Sequence, residues 1–284
     1  MSTSLTSTAP LRDTPATVIA KYLKVLSVGF QDTFAYRWNF VLRVAFGTAP
    51  LLGTVFIWRA LFTARGGNIG GYNFQQMVFY FMLTSVVDIL ATPTEDEWRI
   101  AAEIRDGQIS ALIIKPINHL AYRAGLFVSY RALYTVVVLP AMGVIFWFLR
   151  EFVQFPHHLA TWPLFALSVA MAALLQFFIA YSLAMMAFWI LEISTLIFIF
   201  FSFEYFLSGQ VFPLDLLPGW LHGALNCTPF AYEIFFPAQI FLERLSTAEI
   251  IRGFLFQAGW MIAALFLARS LWRVGIRHYQ AVGG

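Results

Sequence analysis

From residue 38 onward the chain alternates long apolar runs with short polar ones. Six runs stand out: 38–58, interrupted by Arg43; 74–92, with Asp88 near its end; 126–149; 164–191; a shorter one over 193–207; and 251–272. A helix needs roughly 20 apolar residues to cross about 30 Å of hydrocarbon. The pattern therefore predicts an all-α, polytopic membrane protein with six transmembrane helices in one domain over 38–284. Ahead of it, Val18, Ile19, Tyr22, Leu23, Leu26 and Phe30 recur at helical spacing, while Lys21, Lys24 and Asp32 fall on the other face. That is the signature of an amphipathic helix lying in the membrane interface, here over 15–37. The Ser/Thr-rich start, 1–14, has no basic stretch leading into an apolar core, so it is expected to be a disordered N-terminus and not a signal peptide.

One polar passage, 94–123, is more structured than a link between spans requires. Thr94 and Glu97 have capping-box spacing at a helix start. Glu95 with Arg99, and Arg99 with Glu103, are oppositely charged pairs four residues apart. Arg105 falls in the last turn and Gly107 is placed to cap it. A second short helix, 108–115, ends before Pro116, because the residue preceding proline is pushed out of helical geometry. The passage reads as a docking element held at the membrane surface.

The segment before the last span, 206–241, is apolar but broken by Gly209, Pro213, Pro218, Gly219, Gly223, Pro229 and Pro237. No straight helix survives prolines at this density. Irregular backbone at membrane depth is tolerated where protein buries it. A re-entrant helical hairpin over 208–242 is therefore expected, its arms near 216–226 and 231–242. The competing form is an amphipathic loop resting on the bilayer.

Composition agrees with this class. The chain is 60% hydrophobic and only 12% charged, against about 25% charged in soluble domains. The net charge of +3 is spread over span ends, which argues against nucleic acid as a partner and for orientation in lipid. Arg12, Lys21, Lys24, Arg37, Arg99, Arg105, Lys115, Arg123, Arg269, Arg273 and Arg277 fall on one side. Arg59, Arg65, Arg150, Arg244 and Arg252 fall on the other. The excess places both termini and the 94–123 passage in the cytoplasm. The single cysteine, Cys227, excludes an internal disulfide.

Charges inside spans are the first candidates for function, because hydrocarbon makes them costly. Arg43 and Asp88 lie at similar depths and can pair, with Arg131 as a competing partner. Glu204 has no basic residue at its depth and faces water, a partner subunit, the hairpin backbone or a substrate. His157 and His158, adjacent on a loop with no Cys/His/carboxylate cluster, make a poor chelate and are expected to be solvated, so no metal site is assigned. Ser208-Gly209 lacks the strand–turn–helix setting of a nucleophile elbow, and no catalytic set can be assembled. A phosphate-binding loop needs Gly-Lys-Ser/Thr. The only lysines, Lys21, Lys24 and Lys115, precede Tyr, Val and Pro, so ATP hydrolysis by such a loop is excluded on this chain. A secondary transporter or channel stays open as an alternative, although no inverted repeat is visible.

Three runs carry a family resemblance. SGQVFPLDLLPGWLHGALNCTPFAY (208–232) resembles the stretch between the last two spans of ABC type-2 export permeases, where a small-Gly pair precedes FP, LP-x-W and PF-x-Y. EIRDGQISALIIKPINHL (103–120) is similar to their first cytoplasmic loop, and YLKVLSVGFQDTFAYRWNFVLR (22–43) resembles the start of one bacterial subfamily. The resemblance implies the transmembrane subunit of an ATP-driven exporter in the bacterial inner membrane. Its partners would be a separate ABC ATPase subunit that binds ATP and Mg, and a second permease subunit, a sibling or a copy. No cofactor is expected on this chain. Contact with the ATPase is carried over to Glu103, Ile104, Arg105, Asp106, Gly107, Leu112, Lys115 and Pro116, with Glu192 as a second, smaller contact. An outer gate is carried over to Gly209, Phe212, Pro213, Pro218, Trp220, Pro229 and Tyr232.

Overall fold

The computed structural model describes residues 49–93, 96–113, 117–190 and 192–279. The N-terminal tail, the interfacial helix over 15–37, Arg43, Thr94, Glu95, Lys115 and Pro116 lie outside the described residues. Within them the chain forms ten α-helices joined by short 3₁₀ turns. The first is α1 (Ala49–Arg65), which runs past the predicted limit at Trp58. It ends at Gly66 and Gly67, both at positive φ, where Gly67 N–H closes onto Phe62 C=O at 3.1 Å.

Helix α2 (Phe74–Ala91) matches its predicted run almost residue for residue, because both ends are written locally. Asn73 and Gln76 form a capping box at the start, and Thr92-Pro93 stops the end. The docking passage divides as expected into α3 (Asp96–Arg105) and α4 (Ser110–Ile113). Gly107 sits between them at φ 76°.

Helix α5 (His119–Phe148) starts seven residues ahead of the apolar run. Asn118 caps it by accepting the Ala121 N–H at 3.0 Å. Its first two turns carry His119 and Arg123, which belong to a spanning helix and not to the docking loop. Pro140 lies inside it and leaves one carbonyl of the previous turn without its usual donor. Helix α6 (Thr161–Met185) passes into a 3₁₀ turn over Met186–Phe188, and α7 (Ser194–Leu207) follows. The hairpin region holds α8 (Gly219–Leu225) and α9 (Phe235–Phe241). The chain then enters α10 (Thr247–His278), which is 32 residues long and opens on a Ser246–Glu249 capping box.

Four of these helices are long and apolar enough to cross a membrane: α2, α5, α6 with its 3₁₀ extension, and α10. The first and fifth predicted runs correspond to shorter apolar helices, Pro50–Ala64 and Ser194–Leu207. Large apolar side chains lie open along α5, α7 and α10, among them Val136, Trp147, Phe198, Phe203, Leu255 and Phe266, as a lipid-facing surface allows. At the centre is α6, packed against α2, α3, α9 and α10. Its buried alanines, Ala172, Ala173, Ala180 and Ala184, let neighbouring backbones approach closely.

Two large apolar clusters and a small one, around Tyr134, Val138 and Met142, fill the interior. One joins α1 and the first half of α2 to the hairpin. The other, at the docking-helix end, gathers Val87, Ile100, Ile104, Phe177 and Ala268. Ile234, from the hairpin, belongs to the second cluster. The hairpin therefore returns deep into the bundle: Phe235 N–H donates to Ser208 C=O at 3.0 Å, beside the point where the chain left α7. The arms are shorter than predicted, seven residues each in α8 and α9, because Pro229 and the 3₁₀ turn over Phe230–Tyr232 interrupt the second.

Candidate functional site

The docking element is anchored from three sides and open on the fourth. Ile100, Ala101 and Ile104 are buried along α3, which lies on α6 and its 3₁₀ extension. Glu103 forms an ion pair with Arg123 on α5. Gly107 C=O accepts from the Tyr279 hydroxyl at 3.0 Å, and the same hydroxyl lies 2.7 Å from Ser110 Oγ. Tyr279 follows the last turn of α10, so the end of that helix clasps the turn between α3 and α4. The left-handed turn at Gly107 also lets Ile109 N–H return to Glu103 C=O at 3.1 Å.

Outward from these anchors, Trp98, Arg105, Asp106 and Ile113 are exposed, and Leu112 is half-buried. Arg105 Nε donates to Asp106 at 3.0 Å. That hydrogen bond and charge, with Glu192 at longer range, hold the Arg105 guanidinium above its ordinary pKa. Glu192 is exposed too, and accepts the Ser194 N–H at 3.1 Å at the start of α7. The two predicted cytoplasmic contacts thus share one surface. Glu103 does not belong to it, because its carboxylate turns inward to Arg123. Arg99 spreads its guanidinium over the Tyr130 ring at 5.4 Å.

Behind the ion pair lies a polar stack that links three helices. Arg123 Nε donates to His119 Nε2 at 3.4 Å, which leaves His119 Nδ1 to donate to the Tyr181 hydroxyl at 2.7 Å. The imidazole lies flat on Trp272 of α10, centroids 4.3 Å apart. A displacement of Glu103 therefore bears directly on α5, α6 and α10.

Asp88 and Arg131 line one cavity of about 400 Å³, together with Thr84, Ser85, Tyr205 and Gln210. Asp88 accepts from Thr92 Oγ1 at 2.7 Å and feels the charge of Arg131. Arg131 donates to Ile89 C=O and covers the Phe127 and Tyr134 rings. The structure thus brings these two predicted charges around a shared polar space. Glu204 is buried and faces the hairpin, beside Glu233. Glu233 was not singled out from the sequence, since one carboxylate among Phe and Ile offers no pattern.

The predicted gate residues frame the hairpin. Gly209, at φ 88°, gives its C=O to the Tyr80 hydroxyl, and a Cβ there would meet Phe235 Cβ and Tyr80 Oη at 2.9 Å. Pro213 and Pro218 precede a 3₁₀ turn and α8, with Phe212 half-buried and Trp220 exposed. Pro229 heads the turn that carries Tyr232. The Tyr232 hydroxyl donates to Asn226 C=O at 2.7 Å, and its ring stacks on Phe256 of α10.

A further lock was not foreseen. Tyr72 donates to Asp215 at 2.8 Å and accepts from Gln239 Nε2 at 2.6 Å. Arg244 lies over the Tyr72 ring at 3.7 Å and pairs with Asp215 at 3.5 Å. Burial, and next the Asp215 charge, push the Tyr72 phenol above its ordinary pKa. Beyond it, Glu243 accepts the backbone N–H groups of His157 and His158 at 3.1 and 2.9 Å and the Thr161 hydroxyl at 2.8 Å. His157 serves through its backbone, and His158 also brings its ring Nδ1 to 3.1 Å from the same carboxylate.

Among known proteins, a family model described as ABC-2 family transporter protein matches residues 49–283. No curated protein matches the chain.

Proposed function

The chain belongs to the ABC-2 family of transporter proteins, and from that premise we propose that it is the transmembrane permease subunit of an ATP-driven exporter. The observation that carries this reading is the docking element. It is a pair of short helices held by Arg123, α6 and Tyr279 that leaves Trp98, Arg105, Asp106 and Ile113 exposed to a partner, with Glu192 exposed just ahead of α7. A loop that only connected two spans would need no such anchoring.

In this reading a separate ABC ATPase subunit carries ATP and Mg and receives the exposed face of α3 and α4. The docking surface, with both termini, lies on the cytoplasmic side of a bacterial inner membrane. The six apolar segments all cross the membrane. A second permease subunit, a sibling or a copy, completes the path with this one. Movement of the ATPase displaces α3. Any switching of this kind requires the partner to contact two states with different affinity. The Glu103–Arg123 pair and the Tyr279 clasp link α3 to α5 and α10, and α10 reaches the hairpin through Phe256 and Tyr232. Gly209, Phe212, Pro213, Pro218, Trp220, Pro229 and Tyr232 then belong to the outer gate.

The test is purification of the tagged protein from its native membrane in mild detergent, with mass spectrometry of what accompanies it. A P-loop ATPase near one-to-one ratio, lost on Arg105→Glu with Asp106→Arg, supports the reading. Absence of an ATPase, with no stimulation of hydrolysis by added candidates, rejects it in favour of a channel or secondary transporter.

A further inference from the structure

Where α7 ends and the hairpin returns, acidic and amide side chains meet with no basic residue among them in the described residues. Glu233 is completely buried and Glu204 is 7% exposed. Gln176 of α6 is 2% exposed, and Ser208 is buried one turn past Glu204. Gln176 and Glu204 lie against the Glu233 carboxyl. Yet both Glu233 oxygens, both polar atoms of the Gln176 amide and the Ser208 hydroxyl lack a hydrogen-bonding partner in good geometry. Buried polar groups are nearly always satisfied, because one left without a partner has lost its hydration for nothing in return. Such atoms around two carboxyl groups in contact call for a compensating positive charge.

The neighbouring charges decide its sign. Among the described residues, those acting on Glu204 besides Glu233 are Asp88 of α2 and Glu97 of α3, both acidic, with Arg131 one step further off beside Asp88. Helix α10 turns the neutral Gln257 toward this region, where its amide donates to Ser168 and Tyr232 carbonyls at 2.9 Å. Two carboxyl groups in contact cannot both be ionised without a compensating positive charge. Carboxyl, amide and hydroxyl oxygens are hard donors, suited to a proton or an alkali cation and not to soft metals.

We propose that Glu204, Glu233, Gln176 and Ser208 form a buried site for one monovalent cation, a proton or a sodium ion, that ties the end of α7 to the returning arm of the hairpin. With the site filled, the pair is neutral enough to remain buried and the hairpin stays seated. When it empties, the two carboxylates repel and draw water, and the Ser208–Phe235 contact is the first to open. The site's occupancy thus sets the hairpin position, independently of whether an ATPase drives the protein.

The experiment uses the purified full chain in detergent. Melting is followed from about pH 6 to about pH 9, in sodium chloride or choline chloride at equal ionic strength, for the native protein and for Glu204→Gln with Glu233→Gln. Under choline, the native Tm should fall as pH rises, and the double variant should lose this dependence. Recovery of Tm by sodium at high pH identifies sodium as the occupant, with stabilisation growing with its concentration. No recovery identifies the proton. An identical dependence in native protein and variant overturns the proposal. Should the variant fail to fold, a hydrophobic carbodiimide, which adds to protonated carboxyls, is applied to the native chain. Adducts at Glu204 or Glu233 that decline with pH or with sodium support the site. Labelling indifferent to both, or absent from both residues, overturns it.

Discussion

Arg123, near the base of α5, is 4% exposed and is ion-paired with Glu103 on the docking helix. A buried guanidinium that loses an ion-pair partner gives up part of the compensation for its burial, a loss that reaches about 3–5 kcal/mol where no other partner remains. Glu103→Ala should therefore lower the melting temperature, while Arg105→Ala, on the exposed face, should not. In the assembled transporter both should reduce transport-linked ATP hydrolysis. Glu103→Ala should do so with the ATPase still bound, and Arg105→Ala by weakening its binding. Co-purification measured beside hydrolysis separates the two.

Tyr279→Phe deletes one hydroxyl that serves both Gly107 C=O and Ser110 Oγ. The expected loss is about 1 kcal/mol, concentrated in the turn between α3 and α4. Hydrogen exchange of the amides over 107–113 should accelerate, with amides in the middle of α6 unchanged. Equal exchange in the variant would show that the clasp does not hold the turn.

Glu243 gives a pH dependence with a defined sign. The His158 N–H, with the Thr161 hydroxyl and the His157 N–H, lowers its pKa to about 2, from an ordinary 4.5. A depressed folded-state value means that the stabilisation is complete above about pH 4.5 and is lost as pH falls toward about 2. Protection factors of the His157 and His158 amides, corrected for intrinsic rates, should fall across that window. Glu243→Gln should remove the transition.

Gly209→Ala tests whether the turn out of α7 needs glycine. The left-handed conformation costs a residue with a Cβ about 1–2 kcal/mol, and the contact with Phe235 and Tyr80 adds about 1–3 kcal/mol of overpacking. Reduced yield of folded protein and a lower melting temperature are expected. Gly219→Ala, at a position with nothing within 4 Å, is the control and should be near neutral.

The elements that the sequence disclosed are those whose boundaries are written within a few residues of themselves. Asn73, Gln76 and Pro93 bracket α2, and Gly107 divides the docking passage where the structure divides it. Helix α5 starts earlier than its apolar run because its first two turns bury His119 and Arg123 against protein partners, Tyr181, Trp272 and Glu103, which hydropathy does not register. The Asp88–Arg131 neighbourhood was readable because both charges interrupt apolar runs. Glu233, Glu243 and Tyr279 were not. Their partners lie 29 residues away in the case of Glu204, and more than 80 away for the other two. Only the hairpin's return and the closure of α10 on Gly107 bring them together. Long-range contacts of this kind leave no local periodicity to read.

Helix α10 spans about 48 Å at 1.5 Å per residue and contains no proline. Tyr279 pins one end to the docking turn, and stacking of Phe256 on Tyr232 pins it to the hairpin. Mechanically it is a connecting rod with one bearing at its end and the other about a third of the way along. A push on the docking turn must either tear the Tyr279 bearing or carry the rod as a rigid body. Stiffness here then has a use beyond stability: a proline introduced between Phe256 and Tyr279 would turn the rod into a hinge and let the docking turn and the hairpin move out of step.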